Sequence, residues 1–280
     1  MDLTLGVTLA VLGAALLHAT WNAMVKSSRD IQLDLTIITF GAGVAALPFL
    51  FFAAPPARAA WPYLAATIVI HVGYYVAIVG AYRAGDLSHG YPIMRGVAPL
   101  LVALSAAAWF GEAPKPNIWL GILLICGGVL SLGLVGFRWR ESRASTGWAL
   151  ANAVIIAVYT LVDAAGARAS GSPEGYVVWL FILDALPFPL MILARRRAAL
   201  VQYARQYWVR GMIGGALSGI AYGIALWAMT RAPVAAVAAL RETSVIFAAL
   251  IGAWLLKEGH IVRRLASAMV VVAGVVALKL

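Results

Sequence analysis

Inside the apolar stretch Ala232–Glu258, the run Arg241-Glu242-Thr243-Ser244 brings together a cation, an anion and two hydroxyls. A guanidinium can fork two donors onto a carboxylate, a carboxylate can hold an ammonium or a proton, and the hydroxyls can serve either. An ionised side chain at mid-membrane depth costs about 3 to more than 10 kcal/mol unless it faces protein or water, so Arg241 and Glu242 are expected to point inward. Two readings stand side by side, a polar clamp between helices and a binding site. Arg95 is a second arginine in an apolar run, but Gly96, Val97 and Ala98 follow it, which makes Arg241 the better candidate for a substrate carboxylate.

The other polar groups within apolar runs are His18, Asn22, His71, Asp163 and Asp184. Asn22 lies one turn from His18 and Asp163 one turn from Tyr159, so each pair shares a helix face. Asp163 is the leading candidate for proton coupling, with Glu242 second; the alternative is that Asp163 is a fixed partner of Arg95 or Arg241. Aromatics divide into an interfacial set near segment ends (Trp61, Tyr63, Trp119, Trp148, Tyr207, Trp208, Trp254) and a deeper set that includes Trp21, Tyr74, Tyr75, Tyr82, Tyr91, Tyr159, Trp179, Tyr222 and Trp227. Stacking and cation–π contacts from the deeper set suit an aromatic or cationic solute, and core packing explains each ring equally well. The candidate substrate-binding set is Trp21, Asn22, Tyr74, Tyr75, Tyr91, Arg95, Tyr159, Asp163, Tyr222, Arg241, Glu242 and Ser244. No phosphate-binding Gly-x-x-x-x-Gly-Lys-Ser/Thr loop occurs, the four histidines are scattered without metal-ligand spacing, and no cofactor or metal is expected. No catalytic cluster is present either, so an enzyme is not expected.

These residues need elements that cross a membrane. The chain of 280 residues is 63% hydrophobic and 11% charged, with a mean hydropathy of +0.92. Ten apolar segments are expected, at about 3–25, 33–54, 61–83, 88–110, 117–137, 146–167, 175–194, 209–230, 233–256 and 261–279. At about 1.5 Å per residue each suits a helix spanning about 30 Å of hydrocarbon, and the alternation of a barrel is missing. The expectation is an all-α integral membrane protein in one transmembrane domain, 1–280. The first segment lacks a basic start and is expected to be retained. Cys126 lies alone in an apolar run and reads as packing.

A net charge of +10 invites a nucleic-acid reading, but the basic residues are scattered over short loops. Fourteen Lys and Arg follow odd-numbered segments: Lys26, Arg29, Arg83, Arg138, Arg140, Arg143, Arg195, Arg196, Arg197, Arg205, Arg210, Lys257, Arg263 and Arg264. Five lie on the other side: Arg58, Lys115, Arg168, Arg231 and Lys279. The positive-inside rule places the richer side in the cytoplasm and both termini outside it.

The chain is also written twice. At an offset of 146 residues Arg95 falls on Arg241 and Glu112 on Glu258; with small slips Tyr74 falls on Tyr222, and His18 and Asn22 on Tyr159 and Asp163. Tandem units of five helices enter the membrane in opposite directions, so two inverted five-helix repeats around a central cavity are expected, 1–137 and 144–280.

The close of each unit, Phe110-Gly111-Glu112 followed by Trp119-Leu120-Gly121-Ile122, and again Leu256-Lys257-Glu258 followed by Val270 to Val275, resembles the duplicated EamA domain of the drug/metabolite transporter superfamily. The second copy departs in having Ala266 and Ser267 where the first has Leu120 and Gly121. The resemblance covers nearly the whole chain. It implies ten helices in a basket, secondary transport, and a cavity lined by helices one, three, four, six, eight and nine, with the YddG-like aromatic amino acid exporters as candidate relatives. The resulting expectation is a monomeric secondary active transporter of a bacterial-type inner membrane, exporting small amphipathic metabolites, foremost amino acids. Its partners would be a small-molecule substrate and the lipid bilayer, not nucleic acid. An importer or exchanger of another metabolite, or a non-transporting membrane scaffold, is the alternative.

Overall fold

A computed structural model describes residues 3–84, 87–112, 114–133, 143–255 and 261–280. Arg138, Arg140 and the Leu256-Lys257-Glu258 match lie outside the described residues, as do the side chains of Tyr82, Trp254, Arg263 and Arg264. Among the described residues every regular element is helical: α1 (Leu5–Lys26), α2 (Ile31–Ala46), α3 (Trp61–Ala84), α4 (Leu87–Phe110), α5 (Pro116–Gly133), α6 (Arg143–Ala169), α7 (Pro173–Asp184), α8 (Pro187–Met229), α9 (Val234–Arg241), α10 (Ser244–Leu255) and α11 (Ile261–Ala277).

Local chemistry sets the boundaries. Thr4, Asp30 and Ser172 cap α1, α2 and α7, each side-chain oxygen accepting a backbone N–H three residues on, at 3.3, 3.1 and 3.1 Å. Pro48 tightens the end of α2 into the 3-10 turn Leu47–Phe51. Among the described residues six stretches are long and apolar enough to cross a membrane, the last being Pro173–Met229, and Pro116–Leu132 and Leu265–Ala277 are shorter apolar helices.

The expected seventh and ninth spans are not single rods. Pro187 opens a new helix after Asp184, and α8 then runs on through non-helical backbone at Arg196 and Tyr207. The ninth breaks at Glu242-Thr243, where the amides of Glu242 and Thr243 donate to Ala239 and Leu240 at 2.9 and 3.2 Å in the tighter i to i−3 pattern. In α4, Pro92 and Pro99 lie on either side of Arg95, and Pro99 has no N–H for the Arg95 carbonyl four residues back.

Helices of the first half pack on those of the second. α3 lies on α6 while α1 lies on α8; α4 lies on α6 while α1 lies on α9 and α10; α5 lies on α11. α2 and α8 approach one another closely. A Cβ at Gly41 would run into the Gly211 carbonyl, and one at Gly215 into the backbone of Gly41 and Ala42. Small residues thus let two backbones touch, and the glycine spacing of α8 is used for packing. Gly219 and Gly223 of the same face meet Phe181 and Val177 of α7.

The two ends of the bundle are tied differently. At one, Lys279 donates to the Leu3 carbonyl at 2.6 Å and the Ala57 amide to Ser170 at 2.9 Å. There Glu112 accepts from Arg168 at 2.7 Å and from the Val234 amide at 3.0 Å, so one carboxylate holds α6 and caps α9. At the other end Arg196 pairs with Asp30 at 2.7 Å and donates to Gln32 at 3.0 Å. Arg210 pairs there with Asp34 at 3.0 Å and donates to the Met24 carbonyl. Trp179, midway along α7, packs edge-on against Trp61 at 5.2 Å, and Arg231 covers Trp227 near the end of α8 at 4.8 Å.

Candidate functional site

The inner faces of α1, α2, α3, α6, α7 and α8 and the end of α9 enclose a cavity of about 70 Å³. Trp21, Tyr74, Tyr75, Tyr159, Tyr222 and Arg241 line it, six of the residues singled out by sequence, together with His18, His71 and Asp184. Its wall is mostly aromatic. Tyr159 sits 4.7 Å edge-on to His71, 5.7 Å from Tyr74 and 6.0 Å from Tyr222 between ring centroids. The buried Trp21 Nε1 has no hydrogen-bond partner among the described residues, an orphaned donor on the cavity wall.

Arg241 is the last residue of α9, so the helix break turns it toward the cavity. Its guanidinium lies 5.0 Å above the Tyr222 ring. Among the described residues no carboxylate comes within 4 Å of it. Arg95 is situated otherwise. Its Nε is 2.8 Å from Glu242 Oε2 and its Nη2 donates to Ser244 Oγ at 3.2 Å. The Arg95–Glu242 contact is close but not aligned as a hydrogen bond, which leaves both atoms with donor and acceptor capacity to spare. Arg95, Glu242, Ser244 and Tyr91 form a cluster that does not line the cavity.

Asp163, from α6, is fully buried, and its carboxylate is served by tyrosines rather than by arginines. Tyr176 donates to Oδ1 at 2.9 Å and Tyr222 to Oδ2 at 2.6 Å. The expected alternative, Asp163 fixed by Arg95 or Arg241, is not the arrangement observed. Gly166 makes the Tyr176 contact possible, because a Cβ there would lie 2.5 Å from the tyrosine oxygen. Asp184, at the end of α7, accepts from Tyr75 at 2.7 Å and lies 3.2 Å from His71 Nδ1. The other ring nitrogen of His71 is 3.9 Å from Asp163. Asn22 does not join the group; its amide turns back onto the His18 carbonyl at 2.8 Å.

His71 and Asp184 are the functional candidates that the residue-by-residue choice passed over, although both stood out as polar groups in apolar runs. The available signal was the one-turn spacing of His71 and Tyr75 on α3, and the place of Asp184 just before the helix-breaking Pro187.

Tyr222 ties the two charged clusters together, its ring under Arg241 and its hydroxyl on Asp163. The cavity therefore offers a place for an anion and a place for a cation across one aromatic wall. No curated protein matches the sequence. A solved crystal structure, described only as that of a protein, superposes with a TM-score of 0.78 over 98% of each chain at 21% identity, a likeness of fold. The EamA-like transporter family matches residues 4–134 and again 145–280. With both matches covering nearly all of the helices around this cavity, the chain belongs to the EamA-like transporter family, multi-pass membrane proteins that carry small molecules across the bilayer.

Proposed function

We propose that this protein is a secondary active exporter of small zwitterionic metabolites, with neutral and aromatic amino acids as its substrate class. The observation that carries the reading is the bridge made by Tyr222 between Arg241 and Asp163. A substrate carboxylate is received by Arg241, reinforced by the free Trp21 Nε1; the ammonium lies toward Asp163 and Asp184; the side chain packs on Tyr74, Tyr159 and Tyr222. Arg95, Glu242, Ser244 and Tyr91 form a polar cluster behind the cavity wall that holds the α9–α10 break in place. Coupling is assigned to the buried site around Asp163, with Glu242 second. Aromatic content favours aromatic side chains, in keeping with a YddG-like exporter.

The chain is read as ten crossings of a bacterial-type inner membrane, in two inverted five-helix repeats, 1–137 and 144–280, around the cavity. The reciprocal packing of α3 on α6 and α1 on α8 supports this, as does the meeting of Leu3 and Lys279 at one end. The arginine-rich opposite end faces the cytoplasm, so both termini are extracytoplasmic. The protein acts as a monomer and binds no nucleic acid. At 70 Å³ the cavity is well short of the roughly 300 Å³ of ordinary ligand pockets, so loading requires the surrounding helices to part.

Solute counterflow in proteoliposomes tests the reading, with a panel of neutral and aromatic amino acids against organic cations and simple carboxylates. Uptake driven by trapped aromatic amino acid is expected; counterflow by carboxylates or organic cations alone would replace the zwitterion with another class.

A further inference from the structure

We propose that His71 is the proton carrier of this transporter, and that the proton it holds between Asp163 and Asp184 is exchanged for the ammonium group of the substrate. The proposal rests on the zwitterion reading above and adds a group that sequence reasoning had not placed in the site.

The case begins with donors and acceptors. Three tyrosine hydroxyls, of Tyr176, Tyr222 and Tyr75, donate to Asp163 Oδ1, Asp163 Oδ2 and Asp184 Oδ2. Acceptance of these donors suits carboxylate oxygens, which have lone pairs to spare. Between the two carboxylates stands one imidazole, with Nδ1 3.2 Å from Asp184 Oδ1 and Nε2 3.9 Å from Asp163 Oδ2. A neutral imidazole carries one N–H and leaves the lone pair of its other nitrogen facing a carboxylate oxygen; an imidazolium presents an N–H to each. Nδ1 is at hydrogen-bond distance from Asp184 and Nε2 is in charge contact with Asp163, so acids on both sides of one ring favour its protonated form.

Charge balance around the cavity agrees. Asp163, Asp184 and Glu242 are met by Arg95 and Arg241, which leaves one negative charge that a single proton on His71 neutralises. The other groups near His71 are neutral partners: Tyr159 from α6, Tyr222 from α8, and Tyr74 and Tyr75 from α3 itself. From α2, Thr39 lines the cavity while Asp34 is engaged by Arg210 and Tyr203. From α4, Arg95 is turned to Glu242, and Arg58 in the turn before α3 is exposed.

An ammonium entering the cavity offers the two carboxylates the same positive charge and N–H donors. It replaces the imidazolium proton, which leaves His71 for water through the opened cavity and returns from the opposite side once the substrate has gone. One zwitterion moves outward for one proton inward, so the exchange carries charge and is driven by a cell interior that is negative.

Purified full-length protein in detergent would be titrated with three probes: L-phenylalanine, phenethylamine, which lacks the carboxylate, and 3-phenylpropionate, which lacks the ammonium. For the two amines, affinity is expected to rise about tenfold per pH unit while the free protein holds the His71 proton and to level off once that proton is lost, as one proton is displaced per ligand. For 3-phenylpropionate it should stay flat, and in His71→Gln the slope should vanish for both amines. A slope unchanged in His71→Gln, or absent from the wild type although the amines bind, overturns the proton carrier and leaves the zwitterion reading standing. Nitrogen NMR of histidine-labelled wild-type protein does not depend on the variant folding: His71 should carry both protons at about pH 7 and lose one on saturation with phenethylamine. A neutral ring before ligand is added overturns the proposal. Failure of all three probes to bind while His71 is protonated sinks the zwitterion reading and the exchange with it, and keeps the proton site.

Discussion

Arg95 and Arg241 fall on each other when the sequence is laid over itself, yet the protein uses them differently. Arg95 sits within a continuous helix, paired with Glu242 and bonded to Ser244. Arg241 ends a helix and reaches a cavity wall, where its neighbour is the face of Tyr222. The broken backbone makes the difference. In α4 the chain passes Arg95 as helix, whereas in the second half Glu242 and Thr243 leave the helix, so the carboxylate goes back to the other repeat's arginine and Arg241 is left facing the aromatic wall. Duplication supplied two arginines; the break gave one of them to the frame and left the other on the cavity wall.

The largest effect that would test this contrast is on Glu242. In Glu242→Ala the buried Arg95 loses its counter-charge, and the fold should be destabilised by about 3–5 kcal/mol. Thermal unfolding in detergent reads this directly; a melting curve like the wild type's would mean that Arg95 is not clamped.

Next come the paired substitutions Arg241→Lys and Arg95→Lys. Lysine keeps the charge and loses the fork, so Arg241→Lys should weaken binding of an aromatic amino acid by about 1–3 kcal/mol with little change in melting. Arg95→Lys should do the reverse. Loss of stability without loss of affinity in both would remove the carboxylate site from Arg241.

An effect of similar size, on stability alone, is expected from Gly166→Ala, which pushes Tyr176 off Asp163 and removes one of its two tyrosine donors. A loss of about 1–3 kcal/mol in stability should appear, and the double variant Gly166→Ala, Tyr176→Phe should add little to the single one. Additive losses would show that Gly166 matters for packing alone.

The smallest concerns the basic end. Burial works to raise the Asp30 pKa, but the hydrogen bond from Arg196, the Leu33 amide and the arginine's charge together hold it below the ordinary carboxylate value. A carboxyl whose folded pKa is depressed contributes stability above its unfolded value of about 3.9 and loses it as pH falls through the folded one. Asp30→Asn keeps the cap, so it should cost under about 1 kcal/mol at neutral pH, and the difference should close in acid. A gap that persists in acid would place the cost in the cap.

How much of this was written in the chain can be judged residue by residue. The helical class was legible because apolar runs of membrane length leave no other way to satisfy the backbone. Arg241, Asp163 and the tyrosines could be chosen because a charge or hydroxyl in such a run must face inward. Which arginine met which acid could not be chosen, since Glu242 adjoins Arg241 in sequence but pairs with Arg95, which lies 147 positions earlier and is brought near by tertiary packing. Asn22 illustrates the opposite error: it shares a helix face with His18, yet its amide finds the backbone of its own helix and never reaches the cavity. His71 and Asp184 needed the fold itself, because nothing in either local sequence says that a histidine of α3 lies between acids of α6 and α7.

The glycine seam between α2 and α8 has a bearing on inheritance. Gly41 and Gly215 let helices from opposite halves touch backbone to backbone, and a side chain on either one would force them apart. Each half thus presents a strip of bare peptide that only the other half covers. Two copies of an ancestral unit could once have met as separate subunits, but after fusion the seam commits each to its sister: a chain cut between Gly133 and Arg143 would yield fragments that are orphans singly and a protein only when they are made together.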